Sequence, residues 1–286
     1  MPPHAPPAKR LMRALWRILP PSALSFNAGK LITRTLLRPE PGSCPVPILF
    51  AGRIPLTVDL GGFVPNDLYC LDVHYEATTM RLWRRLACTS SVILDVGSHI
   101  GTFALAAADA NPHARILAVE ADGDLFRALR EHSGRFPNVE PVHAAVADTE
   151  GTMWFCPVGG NDGGGHLSAT PPDRPGSYPV ATHTLARICG AAGVGSVDLM
   201  KMDVEGLEHT LLTGDEEFFS RHAPEHIIVE LTVDRRDRAR TEVLFQAMRR
   251  RGYAAARIQG LYAFPFGRSS DLANWHFRRA GAPAVS

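Results

Sequence analysis

The chain of 286 residues has little cysteine and no long apolar run. Its five cysteines include no C-x-x-C pair, so they indicate neither a zinc site nor a disulfide framework. No stretch has the length of a membrane span. The formal net charge is only +1, which gives no reason to expect nucleic acid as a partner. The G-x-G-x-x-G signature of dinucleotide enzymes is also missing. We therefore expect a globular, cytoplasmic protein with reduced thiols.

The most informative stretch is residues 92–101, V-I-L-D-V-G-S-H-I-G. Its apolar, β-branched start predicts a buried parallel strand, and the alanine-rich residues 102–108 predict a helix packed on a sheet. A strand, a glycine turn and a helix in this order place a ligand at the carboxyl end of a strand in an open α/β sheet. Gly97 and Gly101 let the backbone bend sharply and let the ligand come close.

Two carboxylates decide which ligand suits this turn. Asp95 stands just before the first glycine, where it would repel the pyrophosphate of a dinucleotide and attract a cationic amino group. S-adenosylmethionine carries an ammonium, a carboxylate and a sulfonium, and it suits this mixture better. Glu120 ends a second apolar strand about 20 residues after the turn, where an acidic side chain meets ribose hydroxyls in nucleotide-binding units. A turn without a ligand and a solvated Glu120 are the alternatives.

Further strands are predicted along the chain. Residues 139–145 form a third strand, and its small residues Ala144 and Ala145 would border an adenine ring. Residues 226–231 form a fifth strand. An antiparallel edge is expected from three short stretches near the carboxyl terminus, residues 255–259, 261–264 and 275–278.

The fourth strand, residues 197–203, ends in Asp203 at the expected ligand crevice. The segment after it predicts a helix from residue 204, which would place Glu205 and Glu208 on one face, together with His209. Carboxylates and an imidazole in this arrangement could hold a divalent metal. Local pairing of Glu208 is the alternative, and we expect no metal.

Residues 1–66 are rich in proline and predict a leader followed by an irregular cap. Within them, residues 9–19 predict a short basic amphipathic helix. Its apolar face holds Leu11, Ala14, Leu15, Ile18 and Leu19, and its basic face holds Lys9, Arg10, Arg13 and Arg17. We expect this helix to dock on the domain that follows; weak contact with an anionic membrane surface is the alternative.

The motifs at the first and fourth strands resemble those of the FkbM-type family of S-adenosylmethionine-dependent methyltransferases. D-L-M-K-M-D-V-E-G-L-E at residues 198–208 is similar to the family's K-x-D-V-E-G-x-E signature. D-V-G-S-H-I-G at residues 95–101 is similar to its D-V-G-A-N-I-G, with Ser98 and His99 in place of Ala and Asn. The resemblance covers roughly residues 75–277 and includes Y-E at 75–76, A-V-E-A at 118–121, V-E-L at 229–231 and N-W-H-F at 274–277.

The resemblance implies a class I methyltransferase fold. This is an α/β, Rossmann-like, seven-stranded and mostly parallel sheet with helices on both faces and an antiparallel edge strand. It implies a methyltransferase domain over residues 67–286, after the leader and cap of residues 1–66. Together with the reasoning above, it predicts a cofactor site for S-adenosyl-L-methionine made by Glu76, Asp95, Gly97, Ser98, His99, Gly101, Glu120, Ala121, Ala144, Ala145 and Asp203.

The resemblance also implies methylation of a hydroxyl oxygen on a small-molecule or glycan acceptor. An alcohol attacks poorly until its proton is partly removed, so a general base is useful. Asp203 and Glu205 are the candidates, and a rival role for Asp203 is to hold the amino group of the cofactor. Two alternatives stay open: a catalytically silent cofactor-binding or scaffold protein of the same fold, and a dinucleotide-dependent oxidoreductase.

Overall fold

The structure is a computed structural model that describes residues 5–40, 42–157, 165–204, 206–234, 238–258 and 270–282. Within these ranges the strands are β1 (Pro45–Phe50), β2 (Ile54–Asp59), β3 (Val92–Val96), β4 (Arg115–Glu120), β5 (Val139–His143), β6 (Ala145–Val146), β7 (Gly151–Cys156), β8 (His166–Ser168), β9 (Tyr178–His183), β10 (Leu199–Met202), β11 (His226–Asp234), β12 (Tyr253–Arg257) and β13 (Ser270–Arg279). The helices are α1 (Pro7–Trp16), α2 (Ala23–Thr35), α3 (Phe63–Leu71), α4 (Ala77–Ala87), α5 (Thr102–Ala110), α6 (Gly123–Ser133), α7 (Leu185–Ala191), α8 (Glu208–Gly214), α9 (Glu216–Arg221) and α10 (Arg238–Arg250).

Seven strands form one central sheet in the order β12-β13-β11-β10-β3-β4-β5. The strands from β11 to β5 run parallel, and β13 runs antiparallel to both of its neighbours. From β3 the chain moves outward one way through β4 and β5, and later the other way through β10 and β11. The carboxyl ends of β3 and β10 therefore flank the switch point at which open α/β sheets bind ligands. This order confirms the predicted class I methyltransferase fold, with the antiparallel strand one place in from the edge.

Helices cover both faces of the sheet because its side chains alternate between two apolar cores. In β3, Ile93 belongs to the core that contains side chains of α3, α4, α5 and α6. Leu94 and Val96 belong to the opposite core, with side chains of α7, α8, α9 and α10. Trp83 in α4 is completely buried, and its indole N–H donates to the carbonyl oxygen of Phe103 at 2.8 Å. This bond fixes α4 against α5, directly behind the glycine turn.

The amino-terminal part is more regular than the sequence predicted. The predicted basic helix is present as α1, and a second helix, α2, and the antiparallel hairpin β1–β2 lie where an irregular cap was expected. Pro7 opens α1, since its fixed φ suits the first helical position. Ser22 and Ser25 form a reciprocal capping box at the start of α2, with bonds of 3.0 and 3.1 Å. The predicted domain boundary after residue 66 lies inside α3 and stays a prediction.

The expected docking of the amino-terminal helix is seen, with Lys9 and Arg13 of its basic face directed toward the domain. Arg13 of α1 pairs with the fully buried Asp72 at 2.8 Å, and Lys9 pairs with Glu40 at 2.6 Å. A buried carboxylate is costly without a cation beside it, so Asp72 draws the basic face toward the domain. The leucines of α1 are exposed as a result. Among the described helices, none has the length and apolar character that a bilayer crossing needs.

A second, four-stranded sheet of order β6-β9-β7-β8 follows β5 along the chain. Its small core contains Ala145, Phe155 and Val180. Tyr178 on β9 accepts a hydrogen bond at 2.8 Å from the backbone N–H of Gly123, at the start of α6. This contact joins the small sheet to the helix that follows β4. The glycine-rich residues 158–164 lie outside the described residues.

Candidate active site

A cavity of about 450 Å³ opens at the carboxyl edge of the central sheet. Residues at the ends of β3, β4, β10 and β11 line it, together with residues of α2 and of the small sheet. Pockets for small ligands usually enclose about 300–1,000 Å³ and combine apolar walls with a few polar groups. The cavity has the expected size, and it lies at the switch point of the strand order.

The glycine turn after β3 is tied to the strand on each side of it. The backbone N–H groups of Gly97 and Ser98 donate to the carbonyl oxygen of Val119 at 3.0 and 2.9 Å. The Ser98 hydroxyl donates to the carbonyl oxygen of Asp95 at 2.7 Å. Gly97 has a φ of +78°, and a Cβ there would lie 1.8 Å from the carbonyl oxygen of Asp203. A glycine is therefore required at position 97 for both conformation and space.

Asp95 is a buried carboxylate on the cavity wall. Within the described residues neither of its carboxylate oxygens has a hydrogen-bond partner. Burial raises the pKa of Asp95 to about 6, although the nearby Lys201 ammonium opposes the shift. A buried polar group without a partner costs free energy, so the position favours a cationic ligand group as that partner.

Glu120 ends β4 on the neighbouring side of the cavity. One carboxylate oxygen accepts from the backbone N–H of His99 at 2.7 Å, and the other accepts from the N–H of Asp122 at 2.8 Å. Burial raises the pKa of Glu120 to about 7. Each carboxylate oxygen has two acceptor sites, so Glu120 can also receive two hydroxyl donors from a ligand. Ala121 and Ala144 line the cavity beside it.

Lys201 on β10 lies at the centre of the charged part of the site. Its Nζ donates to Asp203 Oδ2 at 2.9 Å and lies 4.7 Å from the centroid of the Phe103 ring. Burial alone would lower the pKa of Lys201, but three neighbouring carboxylates raise it above its ordinary value; these are Asp203, Glu76 and Asp95. The ammonium therefore stays charged and holds these carboxylates together.

Glu76 approaches this cluster from the turn before α4. Its φ of +44° is left-handed, a conformation that costs a non-glycine residue about 1–3 kcal/mol and is concentrated at functional sites. The side-chain amide of Asn274 donates to Glu76 Oε2 at 3.1 Å and to the Thr79 hydroxyl at 3.0 Å. Burial raises the pKa of Glu76. The pKa of Glu230, on β11, is raised well above its ordinary value by burial and by Asp203.

Ten of the residues predicted from the sequence line this one cavity: Glu76, Asp95, Gly97, Ser98, His99, Glu120, Ala121, Ala144, Ala145 and Asp203. Gly101 lies behind the turn, where its N–H donates to the Ser98 carbonyl oxygen and a Cβ would meet Leu129 at 2.8 Å. Gly101 closes the turn and caps the start of α5. Glu205 lies outside the described residues.

The predicted helix from residue 204 is wrong, because α8 begins only at Glu208. Gly206 adopts a left-handed φ of +108°, which breaks any helix through it. The Glu208 carboxylate instead accepts from the backbone N–H groups of Val204 and Gly206 at 2.9 and 3.0 Å. Glu208 therefore begins α8 and pairs locally.

The cavity residues that the sequence reasoning missed as site residues include Lys30, Arg34, Lys201 and Glu230. A lysine inside a buried strand was a usable signal for Lys201, since such a charge needs partners. Glu230 stands near the end of the predicted fifth strand, but its position alone assigned it no role. Lys30 and Arg34 belong to α2, and no local pattern connected this helix with the site.

The residues of the cavity fit S-adenosylmethionine. Its ammonium and sulfonium suit a pocket in which Asp95, Glu76 and Asp203 lie around the ammonium of Lys201, so that carboxylates outnumber this cation. The two ribose hydroxyls suit the remaining acceptor sites of Glu120. Ala144 and Ala145 are buried and small enough to leave room for a flat ring. The individual contacts stay predictions.

Two curated relatives share about half of this chain. The 2-O-methyltransferase NoeI of Sinorhizobium fredii is 28% identical over 165 residues, which are 53% of this chain and 66% of the relative. The hexuronic acid methyltransferase AglP of Haloferax volcanii is 31% identical over 144 residues, 50% of this chain and 57% of the relative. The chain thus spans less than two thirds of the length of either relative.

The family comparison covers the core of the sheet. A solved S-adenosylmethionine-dependent methyltransferase from Agrobacterium tumefaciens aligns over 84% of this chain and 71% of its own, with 13% identity and a TM-score of 0.46. The methyltransferase FkbM domain matches residues 95–254, from Asp95 at the glycine turn to the start of β12. This match includes both motifs, the end of β3 and the whole of β10. The chain belongs to the family of FkbM methyltransferase domains, whose methyl donor is S-adenosyl-L-methionine.

Proposed function

We propose that the protein transfers a methyl group from S-adenosylmethionine to a hydroxyl oxygen of a sugar or a related small molecule. The observation that carries this proposal is the single cavity that joins Asp95 and Glu120 with the Lys201–Asp203 pair. When bound, the cofactor supplies a methyl group already activated by its sulfonium. The protein then has to align the acceptor, exclude water and remove one proton.

Asp203 is the residue to which we assign the acceptor proton. Its carboxylate lies at the end of β10, beside the cofactor part of the cavity, and its side chain is 28% exposed toward the cavity. Lys201 holds Oδ2 in place at 2.9 Å, which leaves Oδ1 to face the acceptor hydroxyl. Positioned bases of this kind contribute about 10²–10⁴-fold to turnover. Glu205, the other candidate from the sequence, stays a proposal.

A sugar acceptor with a negative group is favoured by the charges of α2. Lys30 and Arg34 bring two cationic side chains to the cavity wall, and Arg34 also pairs with Asp67 at 3.3 Å. The names of the two relatives refer to a 2-O-methyltransferase and to a hexuronic acid methyltransferase. A uronic acid combines hydroxyl groups with a carboxylate, so it suits both the proposed reaction and these cations.

The proposal is tested by incubating the protein with isotope-labelled S-adenosylmethionine and a panel of sugars, followed by mass spectrometry. Glucuronic acid and glucose form a matched pair that differs in the carboxylate. We expect the label in a methyl ether that survives mild alkali. Label that alkali releases would be a methyl ester and would contradict hydroxyl methylation. If calorimetry detected no binding of S-adenosylmethionine, the proposal that the protein transfers a methyl group from it would be contradicted.

A further inference from the structure

Positive charge is concentrated at the amino terminus of the chain. Residues 1–40 contain seven lysines and arginines and a single acidic residue, Glu40. Because the whole chain has a net charge of +1, the remaining residues are acidic by five charges. The basic segment consists largely of α1 and α2, and its arginines Arg10, Arg17, Arg34 and Arg38 are exposed.

Exposed apolar side chains are concentrated in the same segment. Of the nine large apolar side chains that are exposed within the described residues, seven lie between residues 11 and 36: Leu11, Leu15, Ile18, Leu19, Leu24, Leu31 and Leu36. Ile18 and Leu24 are 79% and 80% exposed. A concentration of exposed apolar side chains in one segment indicates a binding surface, whereas isolated leucines would need no explanation.

The orientation of α1 is set by ion pairs on its other face. Arg13 pairs with Asp72, and its guanidinium also donates to the carbonyl oxygens of Tyr69 and Leu49. Lys9 is 3% exposed and pairs with Glu40. These buried contacts hold Lys9 and Arg13 inward, so the apolar face cannot turn in without separating Arg13 from Asp72.

The orientation of α2 is set by packing. Phe26 and Thr33 are buried, and a Cβ on Gly29 would overlap Leu71 of α3. Leu24 and Leu31 are seven residues apart and therefore lie on one side of the helix, away from that contact. Both α1 and α2 pack on α3 and expose leucines on their outer faces.

We propose that the outer face of α1 and α2 binds the surface of an anionic lipid bilayer. We call it the α1–α2 face and define it by the seven apolar residues above and by Arg10 and Arg38. Leucines beside exposed arginines are the composition of helices that lie in the interface of a membrane, with the apolar side chains among the acyl chains and the cations at the headgroups. The positive charge of this segment complements an anionic bilayer, whereas the rest of the chain is acidic.

This inference goes beyond the proposed reaction and does not depend on it. It has a consequence for the site, because α2 also lines the cavity through Lys30 and Arg34. A bilayer on the outer face of α2 would lie one helix away from the place where the acceptor binds. Binding would therefore give acceptors attached to lipid a shorter path to the cavity than acceptors in solution.

Vesicle co-sedimentation of the full chain tests the proposal. We expect the protein to sediment with vesicles of phosphatidylcholine and phosphatidylglycerol at 7:3 and to stay in solution with phosphatidylcholine alone. The triple variant Leu11→Ser, Leu15→Ser, Ile18→Ser should partition at least about tenfold less, because its apolar contact with the acyl chains is lost. Val243→Ser on α10 removes an equally exposed apolar side chain elsewhere and should have no effect.

The electrostatic contribution to binding of the anionic bilayer is tested by Arg10→Gln and Arg38→Gln. Each should weaken partitioning about fivefold at low salt, and less at high salt. Thermal melting and cofactor calorimetry check that every variant is folded. Equal sedimentation with neutral vesicles, unchanged binding by the triple variant, or no binding of the unmodified chain would overturn the proposal. A dimer that dissociates in the triple variant, without vesicle binding, would assign the face to a second copy instead.

Discussion

Gly97 and Asp203 are in contact through their backbones, although they follow different strands of the sheet. A Cβ at position 97 would lie 1.8 Å from the carbonyl oxygen of Asp203, and the N–H of Asp203 donates to the carbonyl oxygen of Val96 at 3.0 Å. The turn that presents Asp95 and the turn that presents Asp203 are therefore one packed unit. Whatever moves the first displaces the second, so the proposed cofactor contact of Asp95 and the proposed base Asp203 would be coupled through this backbone contact.

Replacement of Gly97 by Ala should damage both stability and the site. The left-handed φ costs an alanine about 1–2 kcal/mol, and the overlap with Asp203 forces the two turns apart. We expect a lower urea midpoint and at least about tenfold weaker cofactor binding, since displacement of about 1 Å is costly at a site.

Gly193→Ala is the matched control for this variant. Gly193 has a similar φ of +65°, but a Cβ there would meet no atom within 4 Å. It should therefore lower stability by the conformational cost alone and leave the cofactor Kd unchanged. If both variants bound the cofactor equally well, the contact with Asp203 would have no part in shaping the site.

Asp203→Asn should separate the two roles that this residue can have. If it removes the acceptor proton, turnover at saturating cofactor should fall by about 10²–10⁴-fold while the cofactor Kd changes little. If it anchors the amino group of the cofactor, Kd should rise and turnover at saturation should persist. Steady-state kinetics together with calorimetry distinguish these outcomes, and Glu217→Gln on the exposed surface serves as the control.

Glu120→Ala should weaken cofactor binding by about 1–3 kcal/mol, because buried hydroxyls lose their acceptor. The substitution also frees the N–H groups of His99 and Asp122, so part of the loss reflects a looser turn. Glu120→Gln keeps the size and one acceptor oxygen and should lose less.

A comparison of S-adenosylmethionine with its 2′-deoxyribose analogue isolates the contact between Glu120 and the hydroxyl. The native protein should prefer the ribose form, and Glu120→Ala should bind the two forms alike. If the variant kept the preference, another group would have to hold the ribose.

Much of the fold and site could be predicted from the sequence because the signals are local. The apolar run before Asp95 and the glycine at 97 specify a strand and a turn within ten residues, and Glu120 ends the next strand. Since parallel strands end at the same edge of a sheet, their carboxylates had to lie near one another. The cavity brings these predicted residues together.

The remaining features depend on partners that are distant in sequence. The periodicity of α1 predicted an apolar and a basic face but not which of them docks, because Asp72, which draws Arg13 inward, lies far along the chain. The helical spacing of Glu205 and Glu208 ignored the left-handed Gly206 between them. The sequence shows a lysine at position 201 of a buried strand, but the role of Lys201 depends on Glu76, which only the folded chain brings close to it.

The pKa of Asp95 predicts how cofactor binding depends on pH. Burial raises this pKa to about 6, Asp203 adds to the shift and Lys201 opposes it. Below pH 6 the free protein holds Asp95 protonated, and a cationic ligand group must displace that proton to bind. Affinity for S-adenosylmethionine should therefore increase as pH rises from 5 to 7, by at most about tenfold for each pH unit below the pKa, and then level off.

Asp95→Asn identifies the source of this pH dependence. The amide cannot ionise, so the variant should bind more weakly at pH 8 and show a flatter profile between pH 5 and 7. Glu120 also titrates near this range, since its pKa is raised to about 7 by burial, and Glu120→Gln should leave the rise that belongs to Asp95 in place. Calorimetry in two buffers of different ionisation enthalpy measures the proton released on binding. If Asp95→Asn still released a proton on cofactor binding at pH 5.5, that proton would come from another group.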